Sequence, residues 1–150
     1  MNKIISHRGN ISGPEPWYEN KPSFIEEARS KGFDVEIDVW FVEGEWFLGH
    51  DEPEYITSES FLNREGLWCH AKNIESFNRL LNIGAVCFWH EDDKYTLTSN
   101  GFIWTYPGMI LTKKSICVMP EKYSACSQDL TSCFGICTDY PEKYKKGLAL

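Results

Sequence analysis

Apolar residues in the first half of the chain fall in short runs that alternate between two periods. Lys3 to Ser6 is a short apolar run of strand length. Pro22 to Lys31 has helical spacing, with Ser23 as the expected N-cap, Glu26 as its capping-box partner and Gly32 as the stop. Phe33 to Val42 then reads as a strand in which Val35, Ile37 and Val39 share one face and Glu36 and Asp38 the other, because side chains alternate along a strand. Two carboxylates therefore point the same way. A turn over Glu43-Gly44-Glu45 returns the chain as Trp46 to Gly49 and delivers His50-Asp51 near the end of the preceding strand.

The pattern repeats. Thr57 to Asn63 reads as a short helix, Leu67 to Ala71 as a strand, and Ile74 to Asn82 as a helix with Ser76 near its start and Gly84 as its stop. Ala85 to Trp89 closes the series as a strand. Strand and helix alternating in this way argue for parallel strands joined by right-handed crossovers, an α/β arrangement. After His90 the rhythm changes: Phe102 to Thr105, Ile116 to Met119 and Phe134 to Thr138 read as strands with little helix between them. The chain shows no internal repeat, low-complexity tract or linker.

At 150 residues the chain is expected to be a single domain, 1–150, with one core. An apolar fraction of 42% and an aromatic fraction of 15% exclude disorder. Net charge is −7, the wrong sign for tracking a phosphate backbone, so nucleic acid is not an expected partner. The apolar runs are of strand length and Met1 is followed by Asn-Lys-Ile-Ile-Ser-His-Arg rather than an apolar leader; neither a membrane span nor export is expected, and the location read from this is cytoplasmic. Of six cysteines, Cys69, Cys87, Cys117 and Cys137 sit in apolar runs as expected buried thiols, with Cys126 and Cys133 less defined.

Polar residues gather where the strands end: Ser6-His7-Arg8-Gly9, Glu36 and Asp38, Gly49-His50-Asp51, His70-Ala71-Lys72, and Trp89-His90. In parallel α/β sheets the site forms at the carboxyl ends of the strands. Two carboxylates on one face suit a divalent cation, an arginine fork suits a phosphate, and two histidines can act as acid and base. Lys72, on the same side as His70, is better explained by an anion than by packing. His70 reads equally as a ligand or as a hydrogen-bonded interior residue, and His90 as a substrate contact or a pocket wall. Trp17, Tyr18, Trp40, Trp46 and Trp104 read as core or rim, and Asp92-Asp93 as a solvated turn.

Four elements together resemble the glycerophosphodiester phosphodiesterases of the phosphatidylinositol phospholipase C-like superfamily: His7-Arg8-Gly9, Glu19-Asn20, Glu36-Ile37-Asp38-Val39 and Gly49-His50-Asp51, in that order. A fifth, Gly135-Ile136-Cys137-Thr138-Asp139-Tyr140-Pro141, looks like the family's last barrel strand. The resemblance implies a barrel of parallel strands in which His7 and His50 act as general base and acid on a phosphodiester, Arg8 holds a phosphate oxygen, and Glu36 and Asp38 bind one divalent cation, magnesium or calcium. Where the family has a third carboxylate ligand before a phosphate-contacting lysine, this chain has His70 and Lys72. Imidazole there suits zinc and other transition metals better.

A (β/α)-barrel normally takes about 250 residues and seldom fewer than about 200. The expected fold is therefore a reduced TIM-type (β/α) barrel with few helices in its C-terminal half, its strand edges covered by loops or by a second copy in a homodimer. The expected function is metal-dependent cleavage of a small soluble phosphodiester, by water or by a neighbouring hydroxyl of the substrate. The competing readings are a non-catalytic phosphate- and metal-binding module and a structural domain.

Overall fold

The computed structural model describes residues 3–123 and 129–147. Ten strands form one sheet: β1 (Lys3–His7), β2 (Asp34–Val42), β3 (Glu45–Leu48), β4 (Tyr55–Thr57), β5 (Leu67–Ala71), β6 (Cys87–Phe88), β7 (Tyr95–Leu97), β8 (Ile103–Thr105), β9 (Ser115–Val118) and β10 (Gly135–Thr138). The α-helices are α1 (Pro22–Ser30), α2 (Glu59–Leu62), α3 (Ile74–Asn82) and α4 (Pro141–Gly147). Parallel pairing runs β6-β5-β2-β1-β10-β9-β8. The β3–β4 hairpin adds antiparallel to the far half of β2, and β7 adds antiparallel to β8.

This corrects the expected TIM-type barrel with alternating helices. The sheet is mixed, the helices are few and short, and the whole is a curled half-barrel dominated by strands. Among the described residues no pairing joins β6 to β8. The physical cause lies in the connections: a parallel crossover carrying a helix needs about a dozen residues, and the chain has only residues 106–114 between β8 and β9. The sheet nevertheless curls far enough for inward side chains of the unpaired strands to meet, the Phe88 and Trp104 rings lying 4.4 Å apart.

Alternation along the strands builds two layers on the inner face. Ile5, Trp68, Phe88, Trp104, Ile116 and Cys137 form an apolar floor, one residue from each of β1, β5, β6, β8, β9 and β10. Two residues further along, the same face carries His7, His70, His90, Tyr106 and Asp139, since residues i and i+2 share a face. Trp68 ties the layers to β2 by donating Nε1–H to Asp34 Oδ2 at 2.9 Å. Val35, Ile37 and Val39 point outward and are buried by Ile25 and Ala28 of α1 and Leu80 of α3.

Local signals mostly hold, with four corrections. Ser23 and Glu26 do not cap α1: Lys21 is the N-cap, without a side-chain cap bond, because Pro22 is already the first helical residue, two before the one an N-cap at Ser23 would set, and its missing N–H is no loss there. Residue Thr57 ends strand β4 rather than starting a helix, and α2 begins after the Ser58 N-cap. Strand β6 is shorter than Ala85–Trp89, and β7 was not expected. Helix α3 has the expected bounds, with Asn73 and Ser76 forming its capping box. The five described cysteines are buried thiols; Cys126 lies outside the described residues. Trp46 and Trp104 are core, whereas Trp17 is 89% exposed. No described helix is long and apolar enough to cross a membrane.

Candidate functional site

The site opens where β2 changes neighbours. Strand β1 pairs with it as far as His7 opposite Glu36, and β3 takes over at Val39. Between them the edge of Asp38 has no strand beside it, and buried backbone groups must still find partners. The Asp38 N–H donates to Asn20 Oδ1 at 2.9 Å, and its carbonyl accepts from Gly49 N–H at 3.2 Å. That gap draws the loops after β1 and β3 onto Asp38.

Each loop is locally shaped for this. Arg8 has φ 55° and Gly9 φ 93°, so the chain turns sharply as β1 ends; Arg8 N–H donates to Glu36 O at 2.9 Å. A Cβ on Gly9 would lie 2.7 Å from Phe24 Cδ1, which keeps this position glycine. Asn20 has φ 62°, a region asparagine tolerates better than most residues.

Fully buried Asp38 is surrounded by donors. Asn20 Nδ2 donates to Oδ2 at 2.8 Å, Arg8 Nε lies 2.9 Å from the same oxygen, His70 Nδ1 lies 3.1 Å from Oδ1 and Lys72 Nζ 3.7 Å from it. Arg8 Nε is close but not angled as a hydrogen-bond donor, and Arg8 Nη1 donates to Glu19 Oε2 at 3.1 Å. Burial pushes the Asp38 carboxyl up, but the His70 hydrogen bond and the charges of Arg8, His70 and Lys72 outweigh it and hold it well below the usual range.

Glu36 differs. It is buried beside Asp38, its Oε2 has no hydrogen-bond partner, and burial followed by the Asp38 charge raises its pKa. His7 Nε2 lies 3.9 Å from that oxygen, and His70 Nδ1 3.8 Å from Oε1. One donor atom each from Glu36, Asp38 and His70 lie within 4.8 Å of one another, a set that can hold a divalent cation. The orphaned, desolvated carboxylate oxygen is the feature a cation would satisfy, so the residues fit the group.

Two histidines face this cluster differently. His7 Nδ1 is 2.7 Å from Asp139 Oδ1, and Asn10 Nδ2 donates to the same oxygen at 2.8 Å. Burial lowers the His7 pKa, yet the Asp139 hydrogen bond and the Glu36 charge leave it raised overall. His50 is 41% exposed with Nδ1 2.8 Å from Asp51 Oδ1; burial and the Arg8 charge lower its pKa. His70 is held flat against Phe88 and His90, with centroid separations of 5.1 and 4.7 Å, and its Nε2 faces the His90 carbonyl at 3.4 Å. Burial and the His70 charge lower the His90 pKa.

One cavity of about 580 Å³ is lined by His7, Arg8, Glu36, His50, His70, Lys72 and His90. Of the residues expected from sequence only Asp38 is not on its wall; it lies beneath, against Arg8 and His70. Residues given no site role from sequence are Asp139 behind His7 and Asn20 behind Asp38, both within elements that carry the resemblance, and Tyr106 and Lys122 on the wall. Asp139 could have been read from its place at the end of a strand, Asn20 from its pairing with Glu19, and Tyr106 from its spacing of two after Trp104. Nothing local marks Lys122. Comparison with protein-family models, curated proteins and solved structures finds no match to this chain.

Proposed function

We propose that this chain is a metal-assisted phosphodiesterase acting on a small phosphodiester such as a glycerophosphodiester. The observation that carries the reading is the meeting, around one cavity, of two cations (Arg8 and Lys72), two histidines (His7 and His50) and a donor set in which Glu36, with an unpartnered carboxylate oxygen, and His70 line the wall and Asp38 lies beneath. The resemblance of the His7-Arg8-Gly9, Glu36-Ile37-Asp38 and Gly49-His50-Asp51 elements to glycerophosphodiester phosphodiesterases supports the same reading.

The residues divide the work as follows. Arg8 and Lys72 line the cavity with positive charge and hold phosphoryl oxygens, the arginine through its planar fork. Glu36, Asp38 and His70 would hold a divalent cation, which when bound supplies further neutralisation of phosphoryl charge. His7 and His50 move protons on attack and departure. The Asp139 contact with Nδ1 of His7 leaves Nε2 for the reacting side, since the partner of one ring nitrogen sets the role of the other. His70 brings an imidazole to the donor set, which favours zinc or another transition metal over magnesium or calcium. Buried thiols accord with a cytoplasmic setting, and a net charge of −7 with a non-nucleic-acid substrate.

Hydrolysis of a chromogenic phosphodiester with a panel of divalent metals tests this. Activity should require metal, fall by roughly 10²-fold or more in His7→Ala, and vanish with the metal-dependent rise in melting temperature in Asp38→Ala. A wild-type protein that neither turns over diester nor shifts its melting with any metal would sink the proposal. The four partners already around Asp38 favour one alternative, a module that binds phosphate without cleaving it. Phosphate binding without turnover under every metal would select it.

A further inference from the structure

The reacting groups do not sit at the bottom of a single pocket. A second cavity of about 390 Å³ adjoins the first, and both cavities share His7, Arg8, His50, Met119 and Lys122 as lining. The shared wall holds Arg8, Lys122 and both proton-transfer histidines, while Lys72 lines the larger cavity alone. A phosphoryl group held at that wall borders both cavities, which suits a diester rather than a monoester: two alcohol arms leaving one phosphorus.

The cavities differ chemically. The larger is walled by Trp89, His90, Trp104, Tyr106 and Pro107. Its wall is aromatic: the Tyr106 ring meets His90 edge to face, 82° at 6.2 Å, while remaining 47% exposed. The unpartnered, fully buried Glu36 Oε2 borders the same cavity, so this side carries both the unsatisfied polar atom and the aromatic wall. At 580 Å³ it lies within the ~300–1,000 Å³ of ordinary ligand sites. The smaller cavity has Pro14, Pro16 and Met119 beside the polar Glu19, Asn20, Asp51 and Glu54. Glu19 is engaged by Arg8 and Asn10, while Asp51 is 90% exposed and carries only the His50 contact.

We infer that the substrate is an asymmetric phosphodiester, with a flat aromatic arm seated against Tyr106 and His90 and a small, hydrogen-bond-donating arm in the polar cavity. This rests on the phosphodiesterase reading above and narrows its substrate class. Aromatic side chains meeting an aromatic ring prefer offset or edge-to-face arrangements, and the exposed part of the Tyr106 ring beside His90 is a partner for either. Asp51 and Glu54 on the smaller cavity's wall favour an ammonium or hydroxyl group and disfavour an acid, while Arg8 and Lys122 on the shared wall take the phosphoryl charge.

Calorimetry with four simple probes tests it: inorganic phosphate, ethyl phosphate, phenyl phosphate and 2-aminoethyl phosphate. Phenyl phosphate should bind about tenfold tighter than ethyl phosphate, and 2-aminoethyl phosphate about threefold tighter than ethyl, the latter gain shrinking with salt. Tyr106→Ala should remove most of the phenyl advantage and leave ethyl phosphate unchanged, whereas Tyr106→Phe, which keeps the ring, should retain it. Asp51→Asn combined with Glu54→Gln should remove the aminoethyl advantage alone. Equal binding of phenyl and ethyl phosphate, or a Tyr106→Ala loss shared by every probe, overturns the inference while phosphate binding and turnover still stand. Failure of inorganic phosphate itself to bind overturns the inference and the phosphodiesterase reading together.

Discussion

Replacing Asn20 by alanine removes both hydrogen bonds that hold Asp38 in the gap between β1 and β3. The Nδ2 bond to Asp38 Oδ2 is 2.8 Å and the backbone bond from Asp38 to Oδ1 is 2.9 Å, both buried. A bond to a charged group contributes about 1.5–3 kcal/mol, and an orphaned buried N–H costs about 1–3 kcal/mol. Together the loss is about 4 kcal/mol. Asn20 also has φ 62°, where alanine pays about 1 kcal/mol for its Cβ. Asn20→Gly escapes that strain, so it should lose about 4 kcal/mol and Asn20→Ala about 5, a difference of about 1 kcal/mol. Asn20→Asp sets a second carboxylate about 2.8 Å from Asp38, a repulsion of about 6 kcal/mol at an effective dielectric of ~20 unless one takes a proton. Its stability should therefore fall as pH rises. Urea unfolding at fixed pH measures all three, and an unchanged m-value shows that only stability moved. A loss below about 1 kcal/mol in Asn20→Ala would refute the claim that Asn20 anchors Asp38.

Three further outcomes are expected. Gly49→Ala should destabilise the chain and displace the His50 loop, because φ there is 152° and a Cβ would overlap the Glu52 carbonyl oxygen; a lowered urea midpoint with weakened phosphate binding checks it, and a wild-type midpoint would contradict it. Asp139→Asn should lower stability most between about pH 4 and 6.5. The lowered Asp139 pKa contributes above its unfolded value and is lost as pH falls through the folded one, while the raised His7 pKa contributes below its unfolded value and is lost as pH rises through the folded one; a gap from wild type that stays constant across pH would count against the pair. Phe88→Ala should cost about 3–5 kcal/mol and weaken metal binding as well, since the Phe88 ring stacks on both His70 and Trp104; calorimetric metal titration of the folded variant reads the second effect, and unchanged metal affinity would show that the stack does not hold His70.

Period-two alternation was enough to put Glu36 and Asp38 on one face of β2, and strand-end position was enough to bring His7, Arg8, His50, His70, Lys72 and His90 to one cavity. These follow from the sequence because they depend on neighbouring residues: a strand's pleat and a turn's glycine are decided within a few positions. The start of α1 at Pro22 was legible, but its cap was not: Ser23 carries a capping signal, yet the N-cap is Lys21, which has no side-chain cap bond. Closure was decided by tertiary structure alone. Whether β6 meets β8 depends on the summed curl of the intervening strands, and no local pattern records it. The same holds for the Asp139 contact with His7, made across 132 positions, and for the ring of donors on Asp38. Their signs and distances arise because the β1 and β3 ladders stop on either side of one residue, leaving buried backbone groups that only side chains from distant loops can satisfy.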